Sequence, residues 1–252
     1  MEKLLPRFDV LGVEISALDL ATASRLIIQA ANEKRKSYVT FTGVHGVVES
    51  QDDPELRCIL NESFLTGADG MPLVWLGKRQ AGPHVGRVYG PDAMLAICAE
   101  TAATGQRHFL YGGGEGVAID LAEKLQARFP ALNVVGTFTP PFRPLNAEEE
   151  QALIEQVGAV KPDFFWVGIS TPKQEKFMAE WLSRLDATVM LGVGAAFDFH
   201  SGRKPQAPCW MQRSGLEWLY RMITEPRRLG GRYLRNNTRF LWLLARQILT
   251  RH

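Results

Sequence analysis

Short apolar runs alternate with helically spaced stretches along the first 200 positions. Residues 37–42 (SYVTFT), 107–112 (RHFLYG) and 133–138 (NVVGTF) are rich in β-branched and aromatic residues and predict strands. The runs 163–169 (DFFWVGI) and 188–194 (TVMLGVG) predict strands buried on both faces. Between them lie predicted helices. Residues 52–63 open on Asp with Pro in the first turn, and 146–160 open on Asn followed by an acidic first turn. Residues 90–104, 117–129 and 173–185 carry apolar side chains at helical spacing. This alternation predicts an α/β fold with a mainly parallel sheet, whose ligands bind beyond the carboxyl ends of the strands. After Gly202 the alternation stops. The remainder predicts two or three helices and no strands, with breaks at Pro226 and Gly230-Gly231. The organisation expected is an α/β domain over 1–200 and a helical appendage over 201–252.

Composition bounds the partners. A chain of 252 residues with 46% apolar content can bury a full core. No repeat or low-complexity tract interrupts it, and the charged N-terminus lacks the apolar run of a signal peptide. No window of about 18 uncharged apolar residues predicts a spanning helix. Three widely spaced cysteines, Cys58, Cys98 and Cys209, argue for a reducing compartment, each read as a small buried hydrophobe. The net charge of +2 hides an asymmetry. Residues 201–252 hold eleven Lys/Arg and two Asp/Glu, a balance of +9, against −7 for the rest. A basic, aromatic tail on an acidic body predicts contact with something anionic: phospholipid, nucleic acid or a phosphorylated substrate.

Several segments carry candidate chemistry. In TGADGMPLVW (66–75), Asp69 is either part of an Asp-Gly turn or a base at a strand end. The glycines of YGGGEG, from Gly112 on, suit a phosphate at a helix start, but the dinucleotide fingerprint is incomplete because Val117 replaces its third glycine. That gap counts against a dehydrogenase-like enzyme. In GISTPKQEKF, a strand ending at Gly168 leads to a helix whose first turn crowds Lys173, Gln174, Glu175 and Lys176. Cations there oppose the helix dipole, so either an anion binds or the face is solvated with Glu175 offsetting the lysines. In LGVGAAFDFHSGRK, small residues around Gly194 leave room for a ligand. Asp198 could contact a base or ribose, cap the next turn or pair with Arg203, and His200 reads as structural. No histidine spacing predicts a metal site. Trp218 and Trp242, interleaved with Arg232, Arg235 and Arg239, suit a membrane interface and also RNA, which keeps a basic nucleic-acid-binding module as a rival.

Taken together, TGADGMPLVW, GISTPKQEKF, GVGAAFDFHSGRKPQAPCWMQRSGLEWLYRMITEPRRL and YLRNNTRFL resemble the WecG/TagA/CpsF family of bacterial glycosyltransferases over nearly the whole chain. The resemblance implies a Rossmann-like body with helices on both faces and a C-terminal appendage that docks on the membrane. It implies transfer from a UDP-sugar to an undecaprenyl-diphosphate-linked sugar in cell-surface polysaccharide synthesis, with no cofactor, no metal and no nucleic-acid partner. The expected location is peripheral, on the cytoplasmic face of the inner membrane, and the expected partners include a second copy of the chain in a homo-oligomer. By the same resemblance Asp69 is the catalytic base, and Arg213, Arg221, Arg227 and Arg228 are candidates to stabilise the leaving diphosphate. Gln174 then lies beside the nucleotide. One departure stands out: Gly43 occupies a position where the family commonly has asparagine, flanked by Thr42 and His45 as possible substitutes.

Overall fold

The computed structural model describes residues 5–250, with the side chains of Arg228, Leu229, Arg232, Ile248 and Thr250 outside the described residues. The chain opens on a hairpin, β1 (Arg7–Val10) and β2 (Val13–Ser16), paired antiparallel around Leu11-Gly12. Both turn residues sit at positive φ, 56° and 82°, the twist that a two-residue hairpin turn requires. Leucine is uncommon in that conformation, which hides the hairpin from the sequence pattern. There follow α1 (Leu20–Asn32), β3 (Ser37–Thr42), α2 (Val44–Glu49), α3 (Pro54–Glu62), β4 (Leu65–Ala68), α4 (Met71–Gln80) and α5 (Gly90–Thr101). The chain continues through β5 (Arg107–Gly112), α6 (Val117–Arg128), β6 (Asn133–Phe138), α7 (Ala147–Val160), β7 (Phe164–Gly168), α8 (Lys173–Trp181), β8 (Val189–Gly192) and α9 (Ala196–His200). It closes with α10 (Cys209–Arg213), α11 (Glu217–Thr224) and α12 (Pro226–Thr250).

Strands β3 to β8 form one parallel sheet in the order β4-β3-β8-β7-β5-β6. Alternate side chains serve opposite layers. Leu110, Phe164 and Trp166 pack towards α1, α5 and α6, whereas Phe109, Tyr111, Phe165 and Val167 pack towards α7 and α8. Both faces are covered, so β7 reads as an unbroken apolar run rather than an alternating one. This is the Rossmann-like α/β architecture with a helical C-terminal segment. A third apolar cluster joins the hairpin to α2, α4 and Phe240 of α12.

Two expectations need correction. Gly230-Gly231 does not break the last helix; α12 runs through both. Interior glycines cost about 1 kcal/mol each relative to alanine, and docking outweighs that. Phe240 and Asn236 are buried, Gln247 Nε2 donates to Asp9 Oδ1 at 2.8 Å, and Arg239 forms a two-pronged ion pair with Asp52. The basic tail is therefore seated on the body along α2. Pro226 does mark a boundary, as the first residue of α12, where its missing N–H costs nothing. Among the cysteines only Cys98 is buried. Cys58 lies on the outer face of α3, its thiol near Glu62 one turn on, and Cys209 is exposed on α10.

Where β5 meets β7, the backbones touch. Gly112 has φ +137°, and a Cβ there would stand 2.6 Å from the carbonyl oxygen of Gly168. Backbone cannot yield as a flexible side chain does. Gly112→Ala is expected to cost roughly 2 kcal/mol or more, read as a lower urea midpoint at unchanged slope.

Candidate active site

The carboxyl ends of the sheet strands open into one cleft of about 1690 Å³, where parallel sheets bind ligands. Its floor carries Thr42 at the end of β3 and Gly43 after it, Asp69 and Gly70 after β4, Gly113 and Gly114 after β5, Gly168 on β7 and Gly194 after β8. The facing wall comes from the C-terminal helices through Gln212, Glu217, Trp218, Arg221, Tyr233 and Asn236.

Asp69 sits on a backbone held at both ends. Its N–H donates to the Thr42 carbonyl at 2.9 Å, and its carbonyl accepts from Arg87 Nε at 2.6 Å. The Asp-Gly turn considered from sequence is not how the residue is presented. Gly70 has φ −100° and ψ 145°, extended backbone open to any residue, and it begins α4 rather than bending a hairpin. What the glycine contributes is space. A Cβ on Gly70 would lie 3.9 Å from the Gly43 Cα, and one on Gly43 would lie 3.8 Å from the Gly70 nitrogen. Two bare backbones thus face each other beside the carboxylate. Gly43 is also extended, with φ −118° and ψ −166°, so nothing in its backbone demands glycine. The absent side chain widens the cleft there.

The Asp69 side chain keeps 29% of its surface open to the cleft. Loss of bulk water, with Glu217 and Asp92 nearby, pushes its pKa up to about 7 against the pull of Arg87 and Arg221. A carboxylate tuned to that value is matched to proton removal near neutral pH. Arg87 is a site residue that the sequence pattern missed. It lies in the loop between α4 and α5, and no spacing or motif marks it. It bonds Glu217, meets Gln212 Oε1 at 3.3 Å and stacks on Tyr89 with its carbon 3.9 Å from the ring centre.

At the start of α8, Gln174 and Glu175 are buried, at 3% and 1% exposure. Gln174 Nε2 donates to the Gly192 carbonyl at 3.0 Å and to Glu175 Oε1 at 3.1 Å, and Thr171 Oγ1 donates to that same Oε1 at 2.9 Å. Gln174 Oε1 and Glu175 Oε2 are left without hydrogen-bond partners. The expectation of a solvated face with Glu175 offsetting the lysines is overturned. Glu175 is interior and burial raises its pKa, and Lys176 is held by Asp53 at 2.7 Å and Glu55 at 2.8 Å. Lys173 remains on the cleft wall. Gln174 is also on that wall, and its Oε1 keeps an unused acceptor site.

The other candidates divide. Arg221 reaches the cleft, and its buried Nε has no hydrogen-bond partner. Arg213 and Arg227 are exposed and off the cleft wall; Arg228 and Arg232 have side chains outside the described residues. Gly112 lies behind the wall, packed on Gly168, and Gly113-Gly114 face the cleft instead. Asp198 lines the cleft but pairs with Lys204 at 2.9 Å rather than with Arg203, which binds Asp120. His45 also lines it, its Nδ1 2.7 Å from Asn236 Nδ2, so it seats α12 on α2. His200 Nε2 bonds the Pro91 carbonyl at 2.9 Å, a structural role. Among the membrane candidates, Arg239 is committed to Asp52 and Trp218 leans on Tyr233 with ring centres 6.4 Å apart. Trp242 and Arg235 are exposed.

A parallel sheet with a carboxylate and cationic groups gathered in one cleft at its carboxyl edge places the chain in the Rossmann-like α/β class, with a cleft suited to an anionic ligand. The chain matches the glycosyl transferase WecG/TagA/CpsF family over residues 8–252 and belongs to it. It is thus a glycosyltransferase of cell-surface polysaccharide synthesis.

Proposed function

We propose that the chain is an inverting transferase that moves a sugar from UDP to a hydroxyl of a sugar carried on a polyprenyl diphosphate. The observation that supports this most is Asp69, its backbone pinned and its pKa near 7, facing the open space beside Gly43. The acceptor hydroxyl enters that space. Asp69 takes its proton as the oxygen attacks the anomeric carbon, and the bond from that carbon to the UDP oxygen breaks. Charge developing on the diphosphate is met by the guanidinium of Arg221, which lines the cleft and whose buried Nε–H has no protein partner, with Lys173 at the same cleft. Arginine rather than a metal carries that charge. Gln174 Oε1 accepts from the uracil or ribose. The test is a screen of UDP-sugars against short-chain prenyl-diphosphate sugars with the product anomer determined. Retained configuration, or no transfer from any UDP-sugar, sinks the proposal.

The appendage meets the membrane in this reading. No helix among the described residues is long and apolar enough to cross a bilayer. However, α12 turns Leu234, Leu241, Trp242 and Leu249 outwards at 59–77% exposure, with Arg235 and Arg246 beside them. Apolar residues bordered by cations suit an anionic, cytoplasmic leaflet. Replacing Leu241 and Trp242 together by serine is expected to weaken binding to anionic vesicles by about tenfold or more. Cosedimentation that leaves the affinity unchanged refutes this face.

A further inference from the structure

One guanidinium is contested by two carboxylates at the join between body and appendage. Arg87 is anchored to the body through Nε, 2.6 Å from the Asp69 carbonyl. Its terminal nitrogen Nη2 stands 3.8 Å from Asp69 Oδ1, beyond hydrogen-bond reach. That same nitrogen is bonded to Glu217 Oε2, and Nη1 meets Gln212 Oε1 at 3.3 Å. The second oxygen of Glu217 accepts from Tyr89 Oη at 2.6 Å, and the Tyr89 ring lies under the guanidinium. Glu217 is only 13% exposed and is the first residue of α11. The base therefore belongs to the body, while the groups that hold its cation off belong to the appendage.

We propose that Glu217 is a positioning residue that arms the base: with α10 and α11 docked it draws Arg87 away from the Asp69 carboxylate, and with them undocked Arg87 closes onto that carboxylate and weakens it as a base. The idea rests on Asp69 acting as the base. Because Nε is tied to the body, Arg87 stays beside Asp69 in either state, and a movement of about 1 Å in its terminal nitrogen would complete the ion pair. A close guanidinium favours the ionised carboxylate and lowers its pKa, whereas a nearby carboxylate raises it. The charged and titratable groups facing Asp69 are Arg87 and Tyr89 before α5, Asp92 on α5, and Glu217 and Arg221 on α11. Undocking α11 removes Glu217 and Arg221 together, and Arg87 is then left without its competing carboxylate. Transfer is thereby coupled to a seated appendage, and a chain whose appendage has lifted carries a weaker base.

The coupling is reciprocal, and both directions can be read on the full chain without any substrate. In the first, the Asp69 carboxyl is titrated by carbon NMR in aspartate-labelled protein, with its signal assigned from Asp69→Asn. Glu217→Gln keeps the shape of the side chain and removes the charge. The Asp69 pKa is expected to fall by about one unit while the α11 amide shifts show the helix still docked. An unchanged or raised value in a docked variant overturns the proposal. Should Glu217→Gln release α11, the second direction decides. Asp69→Asn leaves Arg87 wholly to Glu217, so amide exchange over residues 210–225 is expected to slow by about fivefold or more. Equal or faster exchange overturns it. Failure here leaves the transferase reading standing, since transfer assays test that separately.

Discussion

Asp69→Asn is expected to bind UDP as the unaltered chain does and to lose about a thousandfold in glycosyl transfer. Asparagine fills the same space, and the two backbone bonds that fix the position do not involve the side chain. Only the proton acceptor is lost. In the unaltered chain, transfer should rise with pH through about 7 as the carboxylate ionises. The same shift has a stability consequence of opposite sense. The folded pKa lies above the ordinary value of 3.8, so between those two values the folded chain retains a proton that the unfolded chain has released. The unfolded state then binds fewer protons, and stability falls as pH climbs through that window. The asparagine variant escapes this loss. It should melt higher than the unaltered chain above pH 7, with the difference closing below pH 4. Full transfer activity in the variant would remove Asp69 from the mechanism.

Arg221→Ala is the second large effect, expected to lower kcat/KM by about 100- to 1000-fold, as loss of a preorganised donor to a developing charge does. A buried guanidinium N–H without a partner is costly to maintain, and Arg221 Nε is one, on the cleft wall. In the proposed reaction the leaving diphosphate supplies the missing acceptor. Arg213→Ala and Arg227→Ala alter exposed positions away from the cleft and should stay within about twofold in the same assay. Equal losses across the three would mean that the appendage acts through its overall charge and not through one aimed side chain.

These contrasts follow a division visible throughout the chain. Strands β3, β5 and β6 have the limits expected from their β-branched and aromatic content, which suits a pleated, covered surface in the buried β3 and β5 and still marks the half-exposed edge strand β6. Helix α7 was equally legible, since its Asn146–Glu149 capping box is a local device. Strand β4 has four residues, one of them glycine, and is a strand because β3 pairs with it. The run through Gly230-Gly231 was illegible for a related reason. Local propensity favours a break there, and the surface beneath α12 overrides it.

At the active site the boundary falls between identity and arrangement. Sequence by itself determined the class of fold and the basic character of the tail; its resemblance to the family pointed to Asp69 as the proposed base, to Gln174 as a proposed nucleotide contact and to the tail as a source of arginine. Fold class and tail charge follow from composition and local spacing, which act over short stretches of chain, whereas the proposed roles follow from the resemblance. Tertiary structure alone decided which of the described tail arginines reaches the cleft, that Glu175 is interior, and that Arg87 stands between Asp69 and Glu217. The electrostatic environment of a carboxylate depends on charges within a few ångströms and on the water excluded around it. Residues 69, 87 and 217 are brought that close only by the folded body and its seated appendage.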